Sequence, residues 1–335
     1  MTLDSQNSTY IPRRVLITGG CGFIGSNFIH YLFSLKNKIE IINYDLLTYA
    51  GNKKNLEELD YLDYYSFVKG DIRDKDSLSS VFKKFKPDTV INFAAETHVD
   101  RSIKDPNVFL ETNIVGTNIL AILSLEFGVG RFVQISTDEV YGDLTDEESP
   151  FTESSMIKPS SPYASSKASA DLLILSFCRT FGLPAIITRC SNNYGPYQHI
   201  EKLIPKIINN SINREKIPIY GTGNNIRDWI HVFDHCRGIF SALTDGAIGQ
   251  VYNFGGNCEI RNINIVKRIL SCLDISENLI EFVEDRLGHD YRYAVDSSKS
   301  LKDLNWRPKI SFEEGIDETI KWYQSNEDWI AGLGD

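Results

Sequence analysis

The segment RVLITGGCGFIGSNFI near the N-terminus limits the possible folds more than any other part of the sequence. A short β-branched run leads into Gly19, Gly22 and Gly25, and an apolar helical pattern begins at once. Glycines let the backbone turn tightly and approach a pyrophosphate, which then lies at the positive end of the following helix. Phe23 and Ile24 are expected to contribute amides and packing there. This strand–turn–helix unit predicts a dinucleotide site in a sheet of parallel strands.

Short β-branched segments alternate with helix-length segments through the first two thirds of the chain. Such alternation predicts an α/β protein with a Rossmann-type, doubly wound parallel sheet covered on both faces. The predicted strands cover residues 14–17, 39–44, 65–70, 89–94, 131–136 and 184–190. The helical segments include residues 26–35, 77–85, 113–127 and 163–181.

The alternation becomes irregular after residue 195. A helix is predicted over 200–212, a turn-rich stretch over 221–229 and a strand over 250–255, followed by two short helical patterns. We therefore predict an NAD-binding Rossmann domain that carries the catalytic residues over 1–195. A smaller mixed C-terminal lobe over 196–335 is expected to bind the substrate and to interleave with the end of the sheet.

Composition excludes several classes of function. The 335 residues are 42% hydrophobic, enough for a large core, and the formal charge of −10 argues against nucleic acid as a partner. The six cysteines form no CxxC pair, so neither a disulfide framework nor a metal site is expected. No signal peptide and no run of 18 apolar residues is apparent, which predicts a cytoplasmic protein without a membrane partner.

Two acidic strand ends refine the prediction for the cofactor. Asp45 closes the second strand 20 residues after Gly25, where a carboxylate can accept hydrogen bonds from the ribose hydroxyls. Because an acid at this position repels a 2′-phosphate, NAD is favoured over NADP. Asp71 and Ile72 follow the third strand and are placed to border the adenine. Asp71 could equally cap the next helix.

Tyr163 and Lys167 form a YxxxK pair, which places a hydroxyl and an ammonium on one face of a helix. A nearby cation is expected to lower the tyrosine pKa and to make it usable as a base. Thr137 ends a predicted strand 26 residues earlier, at the edge where α/β sheets bind ligands. The glycine turn, the acidic strand end, the strand-end hydroxyl and YxxxK, in this order, resemble the extended short-chain dehydrogenase/reductase superfamily.

The string STDEVYG narrows this resemblance, because Asp138 and Glu139 directly follow Thr137. This acid pair is similar to the signature of the dTDP-glucose 4,6-dehydratase family. Leu287, which stands where that family usually has proline, is a departure near the expected substrate lid. Matching strings span nearly the whole chain: LTYAGN, AAETHVDRSI, ETNIVGT, CSNNYGP, EKLIP, IPIYG, IRDWIHV and GHDYRYAVD.

The resemblance implies a reaction and a role for each catalytic candidate. A nucleotide-sugar 4,6-dehydratase converts dTDP- or UDP-glucose to the 4-keto-6-deoxyglucose nucleotide plus water. Tyr163 takes the proton of the sugar 4-hydroxyl, Thr137 bonds the same oxygen, and Lys167 orients the nicotinamide ribose and supports the phenolate. Glu139 removes the C5 proton and Asp138 protonates the departing 6-hydroxyl. Their environments are therefore expected to push the two carboxyl pKa values apart.

The resemblance also implies the binding residues. Further cofactor contacts are expected at Thr48, Ala94, Ala95, Thr97, Thr112 and Asn193. Substrate contacts are expected at Thr97, Thr137, Asn192, Lys202, Leu203, Pro218, Tyr220, Arg227, Asn262, Arg286 and His289. Of these, Pro218 and Tyr220 are expected to flank the nucleotide base, and no metal ligand is expected.

Other interpretations stay open at this point. A nucleotide-sugar 4-epimerase or a UDP-glucuronate decarboxylase shares the hydride step at C4, but neither needs an acid–base pair for the removal of water. A non-catalytic NAD-binding protein is a more remote alternative. The superfamily resemblance also implies a homodimer, in which helices 113–127 and 163–181 of each subunit form a four-helix bundle. Neither the choice between thymidine and uridine diphosphate nor the deoxysugar pathway, rhamnose or another, follows from the sequence.

Overall fold

The computed structural model of the protein describes residues 9–35 and 38–334, so the N-terminal residues in which no signal peptide is expected lie mostly outside it. Seven parallel strands form the main sheet in the order β10-β6-β5-β4-β1-β2-β3. This order confirms the predicted doubly wound α/β fold. The strands are β1 Arg14–Thr18, β2 Glu40–Asp45, β3 Tyr65–Lys69, β4 Thr89–Asn92, β5 Arg131–Thr137, β6 Ala185–Cys190, β7 Asn192–Tyr194, β8 Ile217–Tyr220, β9 Ile226–His231, β10 Val251–Phe254, β11 Glu259–Arg261 and β12 Ile280–Val283.

Helices cover both faces of the sheet and fill the smaller lobe. Four short 3₁₀ segments and one π-helical segment, Leu110–Gly116 between α4 and α5, complete the described secondary structure. The helices are α1 Phe23–Ser34, α2 Lys75–Phe85, α3 Val99–Lys104, α4 Asn107–Phe109, α5 Thr117–Glu126, α6 Pro162–Phe181, α7 Leu203–Ile212, α8 Val232–Asp245, α9 Asn262–Cys272, α10 Ser298–Leu304, α11 Phe312–Ser325 and α12 Glu327–Ala331.

Strand β1 shows why this sheet is covered twice. Val15 and Ile17 belong to the core cluster that includes α1 and α8, whereas Leu16 belongs to the cluster that includes α2, α5 and α6. All three side chains are completely buried. Because successive side chains of a strand point to opposite faces, a continuous apolar run means burial on both sides.

The C-terminal part contains two small sheets and a separate core. Strands β11, β9 and β7 form a mixed sheet, and β12 pairs with β8 in parallel. The predicted turn-rich stretch over 221–229 is wrong in its second half, because β9 begins at Ile226. Arg227 and Asp228 hid this strand from sequence reasoning, since both are charged residues that the fold nevertheless buries. The lobe's core packs α7, α9 and α11 against β8 and β9.

The chain returns to the main sheet after leaving it. Strand β10 pairs with β6 at the edge of the seven-stranded sheet, and α8 packs against α1 on one of its faces. Residues 232–254 therefore belong with the main sheet, because they supply its edge strand β10 and the helix α8 that covers it. They do so although they follow residue 195 in sequence. The division of the chain at 195 stays a prediction.

One helical segment, Asn107–Glu126, is long and apolar enough to cross a membrane by length and composition, with a mean hydropathy of 1.6. It contains no run of 18 apolar residues, because Glu111 and several asparagine and threonine residues interrupt the apolar ones while the average stays high. In the fold, 44% of the segment is buried, and α5 packs against α2 and α6 over the sheet. A core helix passes the same test.

Candidate active site

A cleft of about 490 Å³ lies along the carboxyl ends of the main-sheet strands. This is the edge at which open α/β sheets bind ligands. The structure brings every residue predicted to contact the cofactor to this cleft, which we call the sheet cleft. They are Gly19, Gly22, Phe23, Ile24, Gly25, Asp45, Thr48, Asp71, Ile72, Ala94, Ala95, Thr97, Thr112, Tyr163, Lys167 and Asn193.

The glycine turn is built for close backbone approach. Gly19 has φ +69°, and a Cβ atom there would lie 2.6 Å from the backbone nitrogen of Ala94. A Cβ at Gly25 would lie 2.3 Å from the carbonyl oxygen of Gly19. Helix α1 begins at Phe23 after Gly22, and no side chain caps it. Its positive end thus faces the sheet cleft, as an anion site requires.

Asp45 lies at the end of β2 and is only 7% exposed. Burial raises its pKa, while backbone hydrogen bonds from Leu47 and Cys21 lower it. The Leu47 amide donates to Oδ1 at 2.7 Å, and the Cys21 amide donates to Oδ2 at 2.9 Å. Sequence reasoning predicted a contact with the cofactor ribose for this carboxylate. It did not predict that the same carboxylate links the glycine turn to the end of β2 through these hydrogen bonds.

The structure excludes Asp71 as the cap of α2, while its contact with the adenine stays a prediction. The cap of α2 is Asp74, whose side chain accepts a hydrogen bond from the Ser77 amide. Asp71 instead forms an ion pair with Arg73 at 2.6 Å and borders the sheet cleft. Arg73 also borders the cleft and was not anticipated from the sequence.

The five catalytic candidates line the same cleft. Thr137 is the last residue of β5, and its hydroxyl donates to Oδ1 of Asp138 at 3.2 Å while accepting the Glu139 amide at 3.3 Å. Ser161 caps α6 by accepting the Ala164 amide, and Pro162 occupies its first turn. The helix thereby begins at the cleft.

Tyr163 and Lys167 follow in the first turns of α6 and are 8% and 5% exposed. Burial, followed by the Glu139 carboxyl, raises the pKa of Tyr163 far above its usual range, while the hydrogen bond with Thr137 lowers it. Any lowering of this pKa by Lys167 does not offset the rise. The Lys167 ammonium donates a hydrogen bond to the carbonyl of Ile135 at 2.7 Å.

Asp138 and Glu139 lie side by side in contrasting electrostatic environments. Burial and then the negative charge of Glu139 raise the pKa of Asp138 well above its usual range, and Asp228 adds to this. Burial also raises the pKa of Glu139, and the nearby charges of Arg227, Lys202 and Arg286 offset only part of this rise. The cations favour an ionised Glu139, and the neighbouring acid favours a protonated Asp138.

A second cleft of about 350 Å³ adjoins the first, and we call it the lobe cleft. The two clefts share Thr97, Glu139, Asn192, Glu201 and Lys202. All predicted substrate contacts except Thr137 line the lobe cleft. They are Thr97, Asn192, Lys202, Leu203, Pro218, Tyr220, Arg227, Asn262, Arg286 and His289.

Arg227 is fixed in the lobe cleft by backbone carbonyls. Its guanidinium donates to the carbonyls of Ile226 at 2.7 Å, Asp290 at 2.9 Å and Tyr291 at 3.2 Å. It also lies over the ring of Tyr293, 4.4 Å from its centroid. A cation oriented by neutral groups keeps its charge for an anionic ligand.

Arg286 is held differently. Its Nε lies 2.6 Å from Oδ1 of Asp100, and Nη2 donates to Oδ2 at 3.1 Å. The hydroxyl of Tyr220 donates to the same carboxylate at 3.2 Å. Although burial raises the pKa of Asp100, Arg286 brings it below its usual range. His289 pairs with Asp285 at 2.7 Å.

Comparison with known proteins identifies the architecture. Residues 16–319 match the family model described as GDP-mannose 4,6 dehydratase. A dTDP-glucose 4,6-dehydratase of Escherichia coli is 46% identical over 344 residues, covering 94% of this chain and 95% of that protein. The chain belongs to the nucleotide-sugar 4,6-dehydratase family. The resemblance to dTDP-glucose 4,6-dehydratases predicted from the sequence is confirmed.

Solved structures of family members and of their neighbours agree in fold. The dTDP-glucose 4,6-dehydratase DesIV from Streptomyces venezuelae, solved with NAD bound, has a TM-score of 0.93 and 45% identity over 96% of this chain and 99% of that one. A UDP-glucose 4-epimerase from Thermotoga maritima has a TM-score of 0.87 but only 27% identity over 94% of this chain and 99% of that one. Fold alone therefore does not separate dehydratases from epimerases.

Sequence reasoning missed two acidic residues of this family member's site. Asp100 and Glu201 both border the lobe cleft, and Glu201 lies 3.5 Å from His98 and 3.8 Å from Lys202. Both acids fall inside strings that carried the family resemblance. Their spacing gave no sign of a shared site, because Arg286, the partner of Asp100, and His98, a partner of Glu201, are distant from them in sequence.

Proposed function

We propose that this chain is an NAD-dependent nucleotide-sugar 4,6-dehydratase that converts dTDP- or UDP-glucose to the 4-keto-6-deoxyglucose nucleotide and water. The observation that carries the proposal is the acid pair, in which Glu139 lines both clefts and Asp138 beside it lines the sheet cleft. The pKa of Asp138 is raised more than that of Glu139, which has cations beside it, and this difference suits an acid and a base acting on one molecule. The dehydratase relatives support the same chemistry.

The residues of the sheet cleft fit NAD. Side chains at Gly19 and Gly25 would collide with backbone, so this turn is open only to glycine, and Asp45 stands at the end of β2. The glycine turn and the start of α1 would hold the pyrophosphate, and Asp45 would hold the adenosine ribose. When bound, NAD supplies hydride chemistry, as acceptor from sugar C4 and later as donor to C6.

The phenol and the strand-end hydroxyl act on the sugar 4-hydroxyl. Tyr163 takes its proton, and Thr137 hydrogen bonds to the same oxygen. Lys167 lies one helical turn after Tyr163, where it supports the phenolate and orients the nicotinamide ribose. The 4-ketone that results makes the C5 proton acidic.

The acid pair then removes water. Glu139, the carboxyl that the three neighbouring cations favour in its ionised form, takes the C5 proton, and Asp138, protonated, gives a proton to the departing 6-hydroxyl. One carbon–hydrogen bond and one carbon–oxygen bond break, and a C5–C6 double bond forms. A proton returned to C5 after reduction at C6 completes the cycle with no net oxidation.

The lobe cleft suits a sugar nucleotide. Arg227 and Arg286 can each present parallel donors to a diphosphate, and Lys202 adds a third positive charge. Pro218 and Tyr220 lie in the same cleft, where they would flank the base. The proposal covers both thymidine and uridine diphosphates.

A nucleotide-sugar 4-epimerase or a UDP-glucuronate decarboxylase is the alternative enzyme. Both would use Tyr163 and Thr137, but neither gives the acid pair a role. The identity of 27% to the Thermotoga epimerase, against 46% to the Escherichia coli dehydratase, also favours dehydration. A non-catalytic NAD-binding protein is disfavoured because Tyr163 and Lys167 both line the cleft.

The direct test is incubation with dTDP-glucose, and separately with UDP-glucose, in deuterated water. We expect a 4-keto-6-deoxy product that carries deuterium at C5, because Glu139 exchanges its proton with solvent. Mass spectrometry and proton NMR measure the label. A 4-epimer product, or no turnover of either nucleotide despite NAD binding, would reject the dehydratase assignment.

We further propose a cytoplasmic homodimer that forms through a four-helix bundle. The helical segment 107–126 and α6 leave several large apolar side chains exposed outside the sheet cleft: Leu110, Val115, Leu172 and Phe181. Two copies of this pair of helices would cover them. Light scattering is expected to give twice the chain mass, and a monomeric mass at micromolar concentration would contradict the dimer.

A further inference from the structure

Beneath the catalytic residues lies an ion pair that the proposed mechanism does not use. Asp171 is completely buried and Arg189 is 2% exposed. Arg189 Nε donates to Asp171 Oδ2 at 2.9 Å. Burying two charges costs several kcal/mol before their attraction is counted, and apolar replacements are often no less stable. Such a pair therefore calls for an explanation other than stability.

The position of the pair relates it to the site. Asp171 lies one helical turn after Lys167, which itself lies one turn after Tyr163, so all three share a face of α6. Arg189 on β6 is the register partner of Ser136 on β5. The next residue on β5 is Thr137, one of the catalytic candidates.

Hydrogen bonds join the pair to the strand that carries Thr137. The hydroxyl of Ser136 donates to Asp171 Oδ2 at 3.0 Å. The Arg189 guanidinium lies over the ring of Tyr141, 4.8 Å from its centroid, and the Tyr141 hydroxyl donates to Asn253 on β10 at 2.8 Å. One carboxylate therefore connects α6, β5 and β6 directly, and β10 indirectly.

We propose that Asp171 is a positioning residue for the dehydratase reaction, which fixes the end of β5 through Ser136 and Arg189 and supplies the counter-charge for the buried ammonium of Lys167. The inference rests on the proposed function and names a residue beyond the tyrosine, lysine, threonine and acid pair. Asp171 touches neither cleft and acts only through its neighbours.

The charges around Lys167 support this role. Burial lowers the pKa of Lys167, and among the neighbouring charges Asp171 raises it most, followed by the Cys190 thiol of β6. From β5, the carbonyl of Ile135 accepts a hydrogen bond from the Lys167 ammonium at 2.7 Å. Arg189 on β6 pairs with the same carboxylate and therefore reduces the stabilisation that Asp171 gives to the Lys167 ammonium.

The test is Asp171→Asn, which keeps the shape and removes the charge. With dTDP-glucose as substrate, we expect kcat to fall about 10- to 100-fold and KM to change less. Without the carboxylate the pKa of Lys167 falls further, so activity is lost at a lower pH as pH rises. The alkaline limb of the kcat profile should move down by about one pH unit.

Asp234→Asn is the matched control. Asp234 is also a buried aspartate, 1% exposed, that pairs with Arg237 at 2.5 Å and accepts the amides of Lys309 and Ile310. It lies on α8, and we expect its replacement to lower thermal stability while the pH profile of kcat is unchanged. If Asp171→Asn also leaves the profile unchanged, the proposal is wrong.

A double variant keeps the test decisive if Asp171→Asn does not fold. Asp171→Leu with Arg189→Met replaces the ion pair by apolar side chains of similar size, a change that buried pairs often tolerate. We expect a folded protein with the same loss of kcat, whereas wild-type kcat and pH profile would overturn the inference. Failure of the proposed function is distinguishable, because the wild-type enzyme would then make no 4-keto-6-deoxy product.

Discussion

The sheet cleft and the lobe cleft are adjacent, yet they are built in opposite ways. The sheet cleft follows from the ends of consecutive parallel strands, so glycines, acids and hydroxyls placed after each strand meet at one edge. The lobe cleft collects side chains from α3, α7, β8, β9 and the loop after β12, which are far apart in sequence. Local patterns therefore specify the first cleft, and only tertiary packing specifies the second.

The two clefts also differ in charge. The carboxylate of Asp45 and the positive start of α1 lie at the end of the sheet cleft where the nucleotide part of the cofactor is proposed to bind. In contrast, the cationic side chains of Arg227, Lys202 and Arg286 converge on the lobe cleft. A protein with a formal charge of −10 thus concentrates cations where a diphosphate is proposed to bind. Variants in the sheet cleft should therefore affect cofactor binding, and variants in the lobe cleft should affect substrate binding.

The largest effect is expected at the junction of the clefts. Glu139→Gln and Asp138→Asn each remove one member of the acid–base pair and should lower the rate of dehydration about 10²- to 10⁴-fold. Oxidation at C4 does not need these carboxyls, so absorbance of reduced cofactor should accumulate in a single turnover. Stopped-flow absorbance measures this, with product formation followed by NMR.

Glu147→Gln provides the control for the acid pair, because it makes the same change at an exposed glutamate nearby. We expect it to keep the wild-type rate. Full dehydratase turnover in both Asp138→Asn and Glu139→Gln would mean that the roles assigned to these carboxyls are wrong.

A smaller effect, limited to binding of the sugar nucleotide, is expected in the lobe cleft. Arg227→Met removes a guanidinium that backbone carbonyls hold in place, and KM for dTDP-glucose should rise about 10- to 100-fold, in line with the loss of a charge-assisted contact. NAD affinity, measured by fluorescence titration, should stay the same. Arg261→Met, which changes an arginine of β11 outside both clefts, should leave both constants unchanged. Equal KM values for the two variants would argue against diphosphate binding at Arg227.

The smallest effect is expected in the sheet cleft. Asp45→Asn should weaken NAD binding about 10-fold and narrow the preference over NADP, because the charge that repels a 2′-phosphate is lost. The amide side chain can still accept one of the two backbone hydrogen bonds, which limits the damage. KM for the sugar nucleotide should not change. Isothermal titration with both cofactors measures the preference, and Asp63→Asn, an exposed site, is the control. Unchanged NAD affinity would remove Asp45 from the cofactor site.

The contrast between the clefts explains how far sequence reasoning reached. Six predicted strands match β1 to β6 closely, and in all of them except the edge strand β3 the apolar run is buried on both faces. The glycine turn and YxxxK were visible because each is a local pattern with a local cause. The lobe cleft was predicted only through family resemblance.

What escaped prediction depended on distant contacts. The ion pair between Asp100 and Arg286 joins residues separated by 186 positions, and no local pattern encodes such a distance. Strand β9 escaped because Arg227 and Asp228 are buried charges with partners elsewhere in the fold. The hydrogen bond from the Lys167 ammonium to the carbonyl of Ile135 could not be predicted, because a backbone acceptor has no signature in the sequence.

The return of β10 to the main sheet has a practical consequence for any attempt to dissect the enzyme. A fragment ending near residue 195 would keep the nucleotide turn and the reactive tyrosine, but it would lose the strand beside β6 and the helix that covers α1. Its open backbone edge would invite pairing with other copies. The two halves are thus best expressed as one polypeptide, and swapping lobes between relatives should carry β10 and α8 with the recipient's own sheet.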